Sequence, residues 1–329
     1  MKFHLSLDPL PFAQKINHTQ KIFLLGSCFT ENIGNKLLQH KFDVIQNPNG
    51  ILFNPVSVAN AIEKYISNEE TKAVDLFFLN EAFHSWDHHS RFSSPDKEHT
   101  LIKINHERQL AHHHLKNAYW LIITLGSAFI YELTENAENY CPQRVAANNH
   151  KAPASWFQKR LLRHDEIHAV LDNLLFKLRV FNPGLKVIFT ISPVRHIREG
   201  FVENNRSKSM LNMAVHAMAD KMSNVIYFPA YELVIDDLRD YRFYAEDMVH
   251  PNYAATNYVW EKFIQCAMSD DTLKLMQEIN EVNAAASHTP FNPESQAHAA
   301  FKAKNLQKIA ALKHRFPFLD FSKEIAFFS

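Results

Sequence analysis

Glycine is scarce in this chain, which has only six glycines among 329 residues, against the roughly 7% usual in soluble proteins. A chain so poor in glycine keeps it for positions where the backbone needs it. Three of the six stand where a predicted strand enters a polar turn, namely Gly26, Gly50 and Gly126. These turns are the first places to search for a site.

Cysteine and net charge are also scarce. Cys28, Cys141 and Cys266 are few, odd in number and widely spaced, which excludes a disulfide framework and a cysteine-based zinc site. Thirty-five basic side chains balance thirty-five acidic ones, so no net field favours nucleic acid or an anionic membrane as a partner.

Long hydrophobic runs are missing as well. The most apolar stretch, residues 118–133, is too short to span a bilayer and is interpreted as a buried strand with its exit. The first seventeen residues lack the uninterrupted apolar core of a signal peptide. We therefore predict a cytoplasmic protein that does not associate with membranes.

Short apolar, β-branched or aromatic runs alternate with longer helical patterns, which predicts a doubly wound α/β domain with a parallel sheet. The five predicted strands are Ile22–Leu25, Phe42–Ile45, Tyr119–Leu125, Lys186–Ile191 and Val225–Phe228. The predicted helices after the third, fourth and fifth strands span residues 156–180, 206–222 and 253–268. We place an α/β domain at residues 1–269, with an insertion at about 83–115, and a helical C-terminal extension at residues 270–329.

Polar candidates follow every predicted strand. Ser27 follows the first strand and Gly50 the second. The later strands are followed by Gly126 with Ser127, Arg195 with His196, and Asp247 with His250. In open α/β sheets, ligands bind at the carboxyl edge of the strands. The sequence therefore predicts that five loops meet at one crevice.

Ser27 at a strand-to-helix turn predicts a nucleophile, with His250 as its base and Asp247 as the carboxylate that orients the base. Main-chain amides at Ser27 and Gly50 are candidate donors to the oxyanion formed when a carbonyl is attacked. The alternative for Ser27 is a simple helix N-cap. Because the chain has twenty histidines, an Asp-x-x-His pair can also arise by chance.

The motif Gly26-Ser27-Cys28-Phe29-Thr30, followed by GILFNPVS, SWDHHSRFS, NNHKAPA, SPVRH, DMVHPN and FNPES, resembles the GSCFA family and, through it, the SGNH/GDSL hydrolase superfamily. The resemblance implies a flavodoxin-like sheet, a nucleophile at Ser27, an oxyanion donor at Gly50 and an Asp247/His250 pair. Thr30 replaces the alanine of the family name, at a helical position where the chemistry should not change.

One departure from the superfamily pattern concerns the oxyanion. Where the superfamily carries Gly-x-Asn-Asp after the third strand, with the asparagine as a donor, this chain reads Gly126-Ser127-Ala128-Phe129. The candidates to replace that donor are Ser127, His89, Asn148, His150 and Arg195. Arg195 is the first choice, because its guanidinium fork follows the neighbouring strand.

Other polar segments have two interpretations each. Cys28 is a rival nucleophile at the helix start. The cluster Asp87-His88-His89-Ser90-Arg91 either lines the rim of the crevice or binds a metal together with His112, His113 and His114. Arg195 and His196, followed by residues 197–207 as a predicted polar loop, either contact substrate or have a structural role. Asn148 with His150 either contacts substrate or belongs to an ordinary surface turn before the predicted helix at residue 156.

The sequence thus predicts an SGNH-like serine esterase or deacetylase that needs no metal or cofactor. Its expected substrate is an acyl ester of a carbohydrate or small molecule. Two alternatives remain open: an O-acyltransferase that uses the same triad, and a non-catalytic binding protein that keeps the fold.

Overall fold

A central sheet of five parallel strands organises the molecule, in the order β2-β1-β5-β8-β9. The computed structural model describes residues 5–329. Residues 1–4, which belong to the N-terminal segment predicted not to be a signal peptide, lie outside the described residues. The strands are β1 Ile22–Gly26, β2 Val44–Gln46, β3 Phe77–Leu79, β4 Ala82–His84, β5 Trp120–Leu125, β6 Phe129–Leu133, β7 Phe157–Leu161, β8 Lys186–Ile191 and β9 Val225–Tyr227. The predicted doubly wound parallel sheet is confirmed, with every predicted strand within two residues of its observed bounds.

Helices cover both faces of this sheet. They are α1 Cys28–Gln39, α2 Pro55–Ser67, α3 Lys97–Asn117, α4 His164–Phe181, α5 Phe201–Lys221, α6 Ala230–Glu232, α7 Tyr253–Ala267, α8 Asp270–Ala286, α9 Gln296–Arg315 and α10 Ser322–Phe328. A π-helical segment, Leu233–Leu238, continues α6. No helix within residues 5–329 is long and apolar enough to cross a membrane.

Strand β1 shows how the core is divided. Its residues are all buried and point alternately to the two faces of the sheet, as the pleat requires. Phe23 and Leu25 pack into the cluster that includes residues of α2, α4 and α5. Ile22 and Leu24 pack into the opposite cluster, with residues of α1 and α7.

Two predicted elements were wrong. The helix expected from residue 156 begins only at His164, because Phe157–Leu161 pairs antiparallel with β6 as strand β7. The polar loop expected at residues 197–207 is mostly the first two turns of α5, which begins at Phe201. Polarity misled the prediction, because two of these polar residues, Asn204 and Ser207, face inward.

The segment 83–115, expected to be an insertion, includes most of α3, whose Ala111 and Leu115 join the main core. Helices α8, α9 and α10 form a separate apolar cluster around Ile279, Leu312 and Phe321. A 2.6 Å ion pair between Lys41 and Glu324 joins α10 to the turn after α1. The domain boundary at residue 269 stays a prediction.

Candidate active site

Ser27 lies between β1 and α1, where its hydroxyl caps the helix by accepting a hydrogen bond from the Phe29 amide at 3.3 Å. Gly26 makes this turn possible. Its φ is 143°, and a Cβ atom there would lie 2.2 Å from the carbonyl oxygen of Thr124 on β5. Strands β1 and β5 can therefore run side by side up to the serine only with glycine at this position.

The loop after β2 supports the same turn. Asn47 is fully buried, and its side-chain oxygen accepts a hydrogen bond from the Gly26 amide at 2.9 Å. Gly50 has a φ of 83°, and a Cβ atom there would lie 2.2 Å from the Cβ of His89. Gly50 thus lets residues 47–50 pack against the histidine.

The two main-chain amides expected to serve as oxyanion donors are engaged elsewhere. The Ser27 amide donates to the Thr124 carbonyl at 3.1 Å, and the Gly50 amide donates to the Asn47 carbonyl at 2.7 Å. Both bonds stabilise the turns on either side of the crevice. In this arrangement neither amide is free to receive a substrate oxygen.

The exit of β5 is held from two sides. The amides of Gly126 and Ser127 both donate to the Phe53 carbonyl, at 2.7 and 2.9 Å. From α5, Ser207 accepts a hydrogen bond from the Ala128 amide at 2.7 Å and lies 3.3 Å from the Ser127 hydroxyl. Ser127 also accepts a hydrogen bond from the Phe129 amide at 3.1 Å.

Lys208, also on α5, lies beneath the site and is only 2% exposed. Its ammonium donates to the carbonyl oxygens of Gly126 and Ser192, both at 2.6 Å, and so joins the loops that follow β5 and β8. Burial lowers the pKa of Lys208 to about 7. This lysine was not among the residues predicted from the sequence.

His196 lies against Ser27. A Cβ atom placed on Gly126 would lie 3.1 Å from His196 Nε2, 3.2 Å from Phe53 Cδ1 and 3.4 Å from Ser27 Cβ, so the three side chains surround one point. The His196 amide donates to the Asn204 side chain at 2.9 Å. The imidazole meets the Phe53 ring edge-on, with centroids 5.3 Å apart.

The environment of His196 keeps its ring neutral. Burial, aided by the nearby positive charges of Lys208, His250 and Lys159, lowers the pKa of His196 to about 3. Its Nε2 atom is shielded from solvent and has no hydrogen-bond partner among residues 5–329. His196 is therefore a neutral imidazole whose shielded Nε2 atom makes no hydrogen bond to these residues.

His250 and Asp247 form the pair expected from their spacing. His250 Nδ1 lies 2.7 Å from Asp247 Oδ2, while Asp247 Oδ1 accepts hydrogen bonds from the amides of Val249 and His250 at 2.9 and 3.0 Å. The bonds from His250 and Val249 lower the pKa of Asp247 to about 2. The Arg195 amide donates to the Val249 carbonyl at 3.1 Å, which attaches this loop to the exit of β8.

The connection from Ser27 to this pair is incomplete. Ser27 is fully buried, whereas the side chains of His250 and Asp247 are each 50% exposed. Within residues 5–329 no histidine is hydrogen-bonded to the Ser27 hydroxyl. The structure therefore contains the Asp–His pair, but not the hydrogen bond between serine and histidine.

Arg195, the first choice for the missing oxyanion donor, is directed to aromatic rings. Its guanidinium lies 4.1 Å from the centre of the Tyr244 ring and 4.9 Å from that of Tyr241. No carboxylate within residues 5–329 pairs with it, and its Nη1 atom is buried without a hydrogen-bond partner. The adjacent residue, His196, is the one that lies against Ser27.

The cluster at residues 87–91 is partly built into the protein interior: His88 is buried and Asp87 is mostly covered, whereas Ser90 and Arg91 are exposed. Asp87 pairs with Lys64 at 2.6 Å and Arg144 at 3.2 Å; burial raises its pKa, but these two cations outweigh that effect and leave the pKa below its ordinary value. His88 Nδ1 lies 2.9 Å from the Ser85 hydroxyl, and burial lowers the pKa of His88 to about 4. Arg91 donates to the Asn47 carbonyl.

His150 and Asn148 differ in position. His150 uses both ring nitrogens, lying 2.9 Å from the Ser85 carbonyl and 3.0 Å from the Ser90 hydroxyl, and burial lowers its pKa to about 4. Asn148 lines the cavity described below. Among residues 5–329, no group of three or more histidine, cysteine, aspartate or glutamate side chains is placed to hold a metal ion.

A cavity of about 470 Å³ lies at this edge of the sheet. Its walls include aromatic rings, amides and four charged side chains: Phe53, Phe129, Tyr131, Asn54, Asn148, Asn149, Lys159, Arg195, Arg198 and Glu199. Ser127 and His196 also line it, whereas Ser27 does not. Phe53 and His196 line the cavity and also lie, with Ser27, around the point that a Cβ atom on Gly126 would occupy.

Cys28 is a poor rival to Ser27. Its side chain is partly buried, and burial raises the pKa of its thiol above the ordinary value. A thiol that remains protonated is a weak nucleophile.

Comparison with known proteins gives the family. The GSCFA family model matches residues 21–263, and the model described as "GSCFA domain protein, C-terminal domain" matches residues 279–329. No curated protein matches.

Several solved structures are distantly similar. A carbohydrate esterase family 3 protein from Talaromyces cellulolyticus is 12% identical, over 80% of this chain and 99% of that chain, with a TM-score of 0.36. A putative acylhydrolase from Bacteroides fragilis is 10% identical, over 83% and 91%, with a TM-score of 0.36. An acetyl xylan esterase from the rumen bacterium Butyrivibrio proteoclasticus is 10% identical, over 75% and 63%, with a TM-score of 0.37.

The family model that matches residues 21–263 covers well over half of the chain. The chain therefore belongs to the GSCFA family.

Proposed function

We propose that this protein is a serine esterase of the SGNH/GDSL type that cleaves an acyl ester of a carbohydrate or small molecule. Ser27 is the nucleophile, His250 the base and Asp247 the carboxylate that orients it. The single observation that carries the proposal is the 2.7 Å Asp247–His250 pair, attached through Val249 and Arg195 to the same sheet edge at which Ser27 caps α1.

The pair has the protonation that a general base needs. Because the pKa of Asp247 is about 2, its carboxylate is ionised at neutral pH and can only accept a hydrogen bond from His250 Nδ1. The hydrogen of the neutral ring is then on Nδ1, and Nε2 keeps its lone pair. That lone pair can take the proton of the Ser27 hydroxyl.

The reaction then follows the usual course of acyl transfer. Ser27 Oγ attacks the ester carbonyl while its proton moves to His250 Nε2, and the carbonyl electrons move to the oxygen. Collapse of this intermediate breaks the ester bond, and the departing alcohol takes the proton from His250. Water, activated by His250, releases the acid from Ser27 in the same way.

Access to Ser27 needs a local movement, because the serine is fully buried. Phe53 is the side chain best placed to move, since it is 36% exposed, lines the cavity and lies with Ser27 around the same point beside Gly126. Catalytic hydrogen bonds are often long without substrate and shorten in the complex. We propose that the ester displaces Phe53 and that the Ser27–His250 bond forms at that stage.

Acyl transfer to a second alcohol is the alternative function. The shielding of Ser27 from solvent favours it, because an acyl-enzyme that excludes water survives until an acceptor hydroxyl arrives. The triad and the steps are the same, with a sugar hydroxyl in place of water. Assays with and without sugar acceptors distinguish the two functions by their products.

Covalent labelling tests the proposal directly. A fluorophosphonate should modify Ser27, as read by peptide mass spectrometry, and Ser27→Ala should abolish both labelling and the hydrolysis of activated acetyl esters. Cys28→Ala is the matched control and should leave both largely unchanged. Labelling that persists in Ser27→Ala but disappears in Cys28→Ala would overturn the serine assignment.

A further inference from the structure

We infer that His196 donates the hydrogen bond that the missing asparagine would otherwise give to the oxyanion. The inference rests on the proposed function, since it concerns the intermediate formed at Ser27. It assigns different roles to the two histidines of the crevice.

Position is the first argument. His196 Nε2, Ser27 Cβ and Phe53 Cδ1 all lie within 3.4 Å of the point that a Cβ atom on Gly126 would occupy. Gly126 follows β5, the central strand of the sheet. In the superfamily pattern Gly-x-Asn-Asp, the asparagine stands two residues after this glycine. His196 reaches the same region from the neighbouring strand, β8.

Availability is the second argument. The amides of Ser27 and Gly50 already donate to carbonyl oxygens, and His150 uses both ring nitrogens. Of the five side chains predicted as replacements for the missing donor, only Arg195 holds a buried polar atom without a partner, and His196, which was not among the five, holds another. The Arg195 guanidinium is stacked on two tyrosines, which leaves His196 Nε2.

The protonation state is the third argument. With a pKa of about 3, His196 is neutral at any working pH and is too weak a base to take the Ser27 proton efficiently. In the tautomer with hydrogen on Nε2, it can still donate a hydrogen bond. Neutral imidazole donors of this kind are known in other enzymes that polarise carbonyl groups.

The surroundings hold this donor in place. Asn204 accepts the His196 amide hydrogen at 2.9 Å, and Phe53 packs edge-on against the ring. Lys208 holds the carbonyls of Gly126 and Ser192, which fixes the two loops between which the ring lies. A donor fixed before the reaction needs no rearrangement when charge develops.

Two variants test the inference through kinetics. His196→Met removes the donor at similar size, and we expect kcat for an activated ester to fall about 10²–10³-fold with KM nearly unchanged. His196→Gln can place an amide Nε2 where the imidazole Nε2 was, and should retain most of the activity. His18→Met is the control, because His18 is also buried and neutral but precedes β1, at the opposite edge of the sheet.

A transition-state analogue separates donation from a structural role. A trifluoromethyl ketone adds to Ser27 and forms a stable oxyanion, so His196→Met should weaken its inhibition in proportion to the loss in kcat/KM. His18→Met should not. Equal activity and equal inhibition in His196→Met and wild type would overturn the inference.

NMR of the wild-type protein tests the inference independently of whether His196→Met folds. In ¹⁵N-histidine-labelled protein, formation of the ketone adduct should shift one imidazole Nε2–H proton strongly downfield, and this signal should be missing in His196→Gln. An adduct without such a signal would overturn the inference. If wild type neither hydrolyses esters nor reacts with fluorophosphonate, the proposed function itself has failed.

Discussion

Two loops at the same edge of the sheet each carry a histidine, and the two histidines differ in exposure and in the residues that position them. In the β8 loop, residues 192–200, His196 is shielded and fixed by partners on other elements, Asn204 and Phe53. In the α7 loop, residues 245–252, His250 is half-exposed and fixed by Asp247 of its own loop. Burial lowers the pKa of the first ring to about 3, whereas the second ring is held by a carboxylate at 2.7 Å.

In the proposed mechanism the two histidines take different roles in one crevice, because the environment of each sets its protonation. The two loops are also linked. The Arg195 amide is bonded to Val249, and a charge on His250 further lowers the pKa of His196. When His250 takes the serine proton in the proposed reaction, His196 becomes still harder to protonate and remains a neutral donor.

The largest effect should come from the α7 loop. His250→Ala should lower kcat about 10⁴–10⁶-fold, and Asp247→Asn about 10⁴-fold, because the base is lost in the first and its tautomer is wrong in the second. Initial rates on an activated acetyl ester measure both. If His196→Met proves more damaging than His250→Ala, the roles of the two loops are reversed.

The next effect concerns Lys208, which donates to carbonyl oxygens of the β8 loop and of the loop that follows β5. Lys208→Met leaves the carbonyls of Gly126 and Ser192 unpaired, and we expect a loss of unfolding free energy of about 1–3 kcal/mol. We also expect kcat to fall about tenfold, since a less rigid His196 donates less well. Denaturant unfolding and initial rates are the measurements, with Lys221→Met, at an exposed ion pair, as control.

The same variant carries a pH signature. The pKa of Lys208 falls from 10.5 to about 7 on folding, so above pH 7 the unfolded chain binds the proton more often than the native protein does. Unfolding free energy should therefore rise with pH between about 7 and 9 in wild type, relative to Lys208→Met. A constant difference over this range would show that the buried ammonium stays charged.

The sequence predicted what depends on local pattern. The strands are apolar runs, so their positions and the convergence of five loops followed directly. Asp247 and His250 are three residues apart, and their pairing needs no knowledge of distant contacts. The same reasoning located Ser27 at the end of β1.

What the sequence did not show depends on packing between distant elements. Asn204, Ser207 and Lys208 share the inward face of α5 with Leu211, at a spacing of three and four residues. The polarity of residues 197–207 suggested a loop instead, and Lys208, inside the helix predicted at 206–222, was not singled out. Asn47 gives no pattern at all, since its role depends on contact with Gly26. Burial, and thus the choice between His196 and Arg195, is likewise a property of the folded chain.

The smallest effect should come from Arg195→Lys. This variant tests whether Arg195 contributes to the oxyanion hydrogen bond proposed for its neighbour His196. The guanidinium lies over Tyr244 and Tyr241, so lysine should weaken this stacking while the main-chain bond to Val249 remains. We expect the rate of acylation in single-turnover experiments to change by about threefold or less, because the oxyanion keeps its donor at His196. KM is expected to rise modestly, since Arg195 lines the cavity. A fall of about 10²-fold in the acylation rate with KM unchanged would instead make Arg195 the oxyanion donor. His196 would then have no catalytic role, and only His250 would act in the reaction.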